Sequence, residues 1–149
     1  MKETYDWILN KLPYSDPFLF VHEILDINDT MVEGSYRFSP KLDFYQGHFK
    51  NDPITPGVIL TECCAQIGLV CLGIYLLGQK TKLENFTIGM SSSQMEFLLP
   101  VLPGERVRVV SNLIYFRFQK LKCEVIMYNE DDKLVCKGIL AGMIGVVNE

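Results

Sequence analysis

Only two histidines and one tryptophan occur among the 149 residues, and none of the five cysteines is spaced as a CxxC pair. The patterns of a zinc ribbon or a thioredoxin-like redox motif are therefore missing. Cys63, Cys64, Cys71, Cys123 and Cys136 read instead as small core residues in a reducing compartment, with no structural metal and no disulfide expected. An excess of positive charge is also absent: the net charge is −4, which argues against a broad electrostatic grip on nucleic acid or an anionic membrane. There is no low-complexity tract and no linker, and with 48% apolar and only 21% charged residues the chain is expected to fold throughout, as a single domain over residues 1–149. The first ten residues, MKETYDWILN, carry acidic side chains where a secretion signal has a cationic start and an apolar run. A cytoplasmic protein is the expectation.

What is present is β-rich with one exception. Residues 3–10 suggest a short helix with Trp7, Ile8 and Leu9 turned inward, stopped by Leu12-Pro13. From Phe18 to Phe38 two extended segments are expected, Phe18-Leu19-Phe20-Val21 leading through Ile24, Leu25 and Ile27, and a turn at Asn28-Asp29 leading back from Met31. Residues 39–56 hold Pro40, Gly47, Pro53 and Pro56 and form an ordered loop. Later come four strand-like runs, Phe86 to Leu99, Glu105 to Phe118, Lys120 to Tyr128 and Lys133 to Val147, with turns at Pro100-Val101-Leu102-Pro103-Gly104 and Asn129-Glu130-Asp131-Asp132.

The exception is residues 57–78, GVILTECCAQIGLVCLGIYLLG, helical in pattern and apolar on nearly every side. Its length would span a bilayer at about 1.5 Å per residue. However, Glu62 and Gln66 break the apolar surface near its start, and strand-rich flanks call for a core to wrap. One enclosed helix among about six strands gives an α+β plan with the sheet curled round the helix.

Two candidates for chemistry stand out. His48 sits in Gly47-His48-Phe49, inside the proline-rich loop, where glycine lets backbone and ligand approach; His22 lies in an extended segment where packing is its ordinary role. Glu62 is a lone acid in an apolar helix, so it must be hydrogen-bonded, paired with a lysine from another strand, or neutral through a pKa raised by burial and then a proton donor, while Gln66, one turn on, can hold the carboxyl. Pro56-Gly57 opens the helix with free backbone N–H groups that suit developing negative charge. Base, acid and anion donor thus fall within one short stretch.

These residues closely resemble the 3-hydroxyacyl-acyl-carrier-protein dehydratases, the FabZ-type hot-dog enzymes. The resemblance runs from Leu12-Pro13 and Pro17-Phe18-Leu19-Phe20-Val21, through Tyr45-Gln46-Gly47-His48-Phe49 and Pro53-Ile54-Thr55-Pro56-Gly57-Val58, to Glu62-Cys63-Cys64-Ala65-Gln66, and resumes at Phe97 and Pro100-Val101-Leu102-Pro103-Gly104-Glu105. It implies a hot-dog fold, with a curled antiparallel sheet round one long central helix. It implies His48 and Glu62 as the catalytic pair, Gly57 as amide donor to the thioester carbonyl and Gln66 as the partner of Glu62. It implies no cofactor, an acyl carrier protein as partner, and a homodimer whose sites join His48 of one subunit to Glu62 of the other, with hexamers built on such dimers. Along the expected acyl path, Met90, Met95, Phe97 and Tyr115 are the candidate liners. Arg117, Lys120 and Lys122 form a candidate cationic dock for the acidic carrier, as do Lys80 with Lys82.

Tyr14, His22, Lys50-Asn51-Asp52 and Phe97-Leu98-Leu99 depart from the family's usual residues. They leave the catalytic set intact and suit a specialised relative, such as a dehydratase of aryl-polyene or other polyketide-like synthesis, as well as one of fatty acid synthesis. Two rival readings share the fold: an acyl thioesterase using Glu62, against which His48 weighs, and a non-catalytic carrier-binding subunit, in which a costly buried acid would have no use.

Overall fold

Between Val107 and Ser111 and again between Leu121 and Met127, every second residue is buried, the two-residue period of strands with one covered face. The computed structural model describes residues 4–78 and 86–146. It places the strands β1 (Glu23–Asn28), β2 (Met31–Arg37), β3 (Phe86–Phe97), β4 (Arg106–Arg117), β5 (Lys120–Tyr128) and β6 (Leu134–Val146) in one antiparallel sheet of order β1-β2-β4-β5-β6-β3. Asn28 and Asn129 shape two of the turns, their side-chain oxygens accepting from Thr30 and Met31 N–H and from Asp131 and Lys133 N–H. Between β4 and β5, Phe118 and Gln119 both take left-handed backbone angles, φ 51° and 65°, as a two-residue hairpin turn requires.

The sheet wraps a helix of three pieces: α2 (Gly57–Ala65), a π-helical segment (Gln66–Cys71) and α3 (Leu72–Gly78). By length and composition this helix could cross a membrane, yet its most apolar stretch is 72% buried inside the protein itself. Close approach explains two glycines. A side chain at Gly68 would begin 2.8 Å from Val125 Cγ1, and one at Gly34 would begin 2.9 Å from Ile67 Cγ2, so helix and sheet touch through backbone there. Ser111 Oγ also donates to the Gly68 carbonyl at 3.0 Å, fixing the π-helical segment to β4. This is the α+β plan that the pattern implied and the hot-dog architecture that the resemblance implied.

Two expectations are corrected. The N-terminal helix α1 covers only Asp6–Leu9, and a single turn can aim only part of itself inward: Ile8 is fully buried, whereas Trp7 is 42% exposed and lies over Tyr75, ring centroids 6.4 Å apart. Phe18 to Val21 is not a strand. Phe20 N–H bonds to the Gln66 side chain, so this segment spends its backbone on the helix and the hairpin starts at Glu23. Lys80 and Lys82 lie outside the described residues.

Candidate active site

The proline-rich loop is rigid because its ends are tied to the turn before β4. Gly104 N–H donates to Phe38 O, Phe38 N–H to Glu105 O, and Thr55 N–H to Val101 O. Gly104 has φ +93°, which a glycine adopts without strain. Inside the loop Tyr45 and Thr55 share a hydroxyl–hydroxyl hydrogen bond, and the chain from Phe49 to Asp52 closes on itself by two backbone bonds. His48 stands between these braces, half-buried. Its Nδ1 lies 3.0 Å from Ile54 O, which can only accept, so the proton is on Nδ1 and the Nε2 lone pair is free when the ring is neutral. Phe49 stacks on the imidazole at 4.0 Å.

Glu62 and Gln66 face the chain that enters the hairpin. Gln66, fully buried, uses its side chain three ways: Nε2 donates to Glu62 Oε2 at 3.0 Å and to Phe18 O at 3.0 Å, and Oε1 accepts from Phe20 N–H at 2.7 Å. The second Glu62 oxygen has no partner among the described residues. Burial pushes the Glu62 carboxyl above the usual carboxylate range, and the Gln66 amide pulls the other way. Gln66→Ala would leave the Phe20 N–H buried without an acceptor, so we expect a stability loss of about 1–3 kcal/mol in chemical denaturation; an unchanged midpoint would mean that water replaces the amide.

At the start of α2 no side chain caps the helix, and Gly57 and Val58 N–H find no acceptor among the described residues. Phe97 shields this end: its ring would lie 3.4 Å from a side chain at Gly57. An open groove of about 650 Å³ runs past Gly57, Val58, Thr61, Glu62, Met90, Ser93, Met95 and Phe97. Beside it lies a smaller, partly enclosed cavity of about 50 Å³, lined by Tyr14, Glu62, Ala65, Leu69, Ile88, Met90 and others. The β3–β6 register shifts between Met90 and Ser92, next to Met90, which borders both spaces. Neither space is lined by the His48 loop, and no hydrogen bond or ion pair joins His48 to Glu62 among the described residues.

Of the candidate liners, Met90, Met95 and Phe97 border the groove and only Met90 also reaches the cavity. Tyr115 borders neither. It packs under Arg117, whose guanidinium sits 4.3 Å from its ring, with the Lys122 ammonium at 5.9 Å. Arg117 pairs with Lys120 in register and Tyr115 with Lys122, so the cationic group is gathered at one hairpin tip beside Phe118, which is 92% exposed. Tyr14, Ala65, Leu69 and Ile88 were not anticipated as cavity walls: Ala65 and Leu69 follow Glu62 at helical spacing, whereas Tyr14 and Ile88 reach it from the N-terminal chain and from β3. His22 is a packing residue: its Nδ1 accepts from Arg37 N–H and its ring lies on Tyr36.

An antiparallel sheet closed round one helix, with a half-buried acid a turn and a half from an uncapped helix start, defines a protein of the hot-dog class. A FabA-like domain matches residues 12–139. Curated relatives include a 3-hydroxyacyl-[acyl-carrier-protein] dehydratase FabZ of a Wolbachia from Brugia malayi, 31% identical and covering 90% of this chain and 92% of that protein. Another is the FabZ dehydratase of Acetivibrio thermocellus, 34% identical over 80% of each. In fold the chain is similar to the dehydratase heterocomplex ApeI:P from Xenorhabdus doucetiae, at TM-score 0.79 and 13% identity over 95% of this chain and 91% of that one. A thioesterase of Haemophilus influenzae has TM-score 0.60 at 16% identity, over 85% and 80% of the two chains. The chain belongs to the FabA-like family and, within it, to the FabZ-type 3-hydroxyacyl-acyl-carrier-protein dehydratases, which are hydro-lyases.

Proposed function

We propose that this protein dehydrates 3-hydroxyacyl groups carried on acyl carrier protein to trans-2-enoyl groups, with His48 and Glu62 as base and acid. The observation that carries the roles is the Gln66–Glu62 hydrogen bond, which holds the carboxyl at the groove, together with the burial that raises its pKa and so favours the proton-bearing form. Neutral His48 takes the C2 proton through Nε2. Charge gathering on the thioester oxygen is met by Gly57 N–H at the positive end of α2. Glu62 gives its proton to the C3 hydroxyl, the C3–O bond breaks, water departs, and the C2–H electron pair becomes the C2–C3 double bond. Nothing in this sequence of steps calls for a metal or redox cofactor.

The site is completed in a homodimer, His48 of one subunit facing Glu62 of the other. In support, β3 offers an unpaired twelve-residue edge beside the groove, where Val58 is 76% and Phe97 50% exposed, and such an edge favours pairing with another strand. The chain works as one cytoplasmic domain, the carrier docks on Arg117, Lys120 and Lys122, and the departures at Tyr14, His22 and Phe97-Leu98-Leu99 suit a specialised pathway of polyketide or aryl-polyene type as well as fatty acid synthesis. To test the reaction, the purified protein is incubated with 3-hydroxyacyl groups loaded on acyl carrier protein and the carrier-bound product is followed by mass spectrometry. The carrier species should lose the mass of one water; free acid would mean a thioesterase, and an unaltered carrier would mean a binding subunit.

A further inference from the structure

The open groove and the smaller, partly enclosed cavity share two lining residues, Glu62 and Met90, so the cavity continues the groove. Its direction follows from the helix. Gly57 borders the groove only, Glu62 borders both, and Ala65 and Leu69 border the cavity only. From Glu62 to Leu69 the axis advances about 10 Å. An acyl group with its carbonyl at Gly57 and its C3 hydroxyl at Glu62 must therefore send the carbons beyond C3 into the cavity, an inference that rests on the dehydratase reading above.

What waits there is small. An apolar cavity of about 150 Å³ takes a benzene ring, and this one is about 50 Å³. Tyr14 supplies part of its wall, although the residue lies far from the helix in sequence, on the chain that leads to Phe18 and Phe20 and is pinned to Gln66. The Tyr14 hydroxyl has no hydrogen-bond partner among the described residues. Burial and, next, the nearby Glu62 push the phenol up to about 12, so it stays neutral and can be packed against an acyl chain. Met90, Ile88, Leu121 and Ile144 close the remaining sides, all apolar.

We propose that Tyr14 is a specificity-determining residue, filling the space beyond Glu62 so that the protein takes 3-hydroxyacyl groups with only a few carbons past C3. Removing the ring joins its volume to the cavity and admits longer chains. The measurement is kcat/KM for carrier-bound 3-hydroxyacyl groups of increasing length, in wild type, Tyr14→Ala, Tyr14→Phe and Ile88→Ala. Wild type should favour the shortest chains, and Tyr14→Ala should raise the ratio of long to short by about tenfold or more, the scale on which a hydrophobic pocket reads one methylene or more. Tyr14→Phe, which keeps the volume, should retain the wild-type length profile. Ile88→Ala enlarges the same cavity from β3 and should shift the profile in the same sense even if Tyr14→Ala fails to fold. Dehydration with a flat wild-type profile overturns the role of Tyr14 and leaves the reaction standing, and so does a folded Tyr14→Ala with an unchanged profile. Absence of water loss at every length overturns the dehydratase reading, and this inference with it.

Discussion

His48→Ala is expected to lower kcat/KM for dehydration by about a hundred- to ten-thousand-fold, the usual contribution of a positioned general base. The fold should survive. Among the described residues the imidazole makes one hydrogen bond, to Ile54 O, whereas the loop is held by backbone bonds from Thr55 to Val101 and from Gly104 to Phe38, and by the Tyr45–Thr55 hydroxyl pair. Steady-state turnover and a thermal melt, taken together, separate the two effects. A near-normal rate in a folded variant would remove His48 from the mechanism; a lost melt would show that the ring holds the loop.

The fold could be read from the sequence because its decisive elements are local. Alternation in β4 and β5, turn residues such as Asn28 and Asn129, and an apolar run broken only by Glu62 and Gln66 each point to one structure without help from distant contacts. The 3.0 Å bond from Gln66 to Glu62 likewise follows from a four-residue spacing on a helix, where such side chains are neighbours. What was not legible depends on packing across the chain. Phe18 to Val21 has the composition of a strand, yet the buried Gln66 amide claims the Phe20 N–H and the Phe18 carbonyl. Tyr115 has the right character for an acyl tunnel, but its position in β4 opposite Lys122 places it under cations at a hairpin tip. Tyr14 becomes a cavity wall because the chain that follows it is pinned to Gln66, forty-odd residues away in sequence, and no periodicity records that contact. Trp7 shows a different failure: a four-residue helix has too little surface for hydrophobicity alone to fix its orientation.

Glu62→Gln should be as inactive as His48→Ala, about a hundred- to ten-thousand-fold down, because an amide keeps the shape but has no proton to give the departing hydroxyl. Its stability should move the opposite way from that of an ordinary carboxylate loss. Burial holds the Glu62 pKa above its value in the unfolded chain, so in the window between those two values the folded protein keeps a proton that the unfolded chain has released. Stability therefore falls as pH rises from the unfolded pKa to the folded one, and stays lowered above it. The amide variant has no such proton and escapes this fall, so melts recorded from about pH 4 to about pH 8 should show Glu62→Gln gaining on wild type as pH rises. If wild type gains instead, the carboxylate is held by a cation in the assembled protein and cannot be the acid. The two variants together also test the shared site. With His48 and Glu62 on different subunits, random pairing of the two inactive chains makes half the dimers mixed, each with one intact site, and about a quarter of wild-type activity returns. If both groups act from the same chain, mixing returns nothing, because no site in any dimer then holds an intact pair.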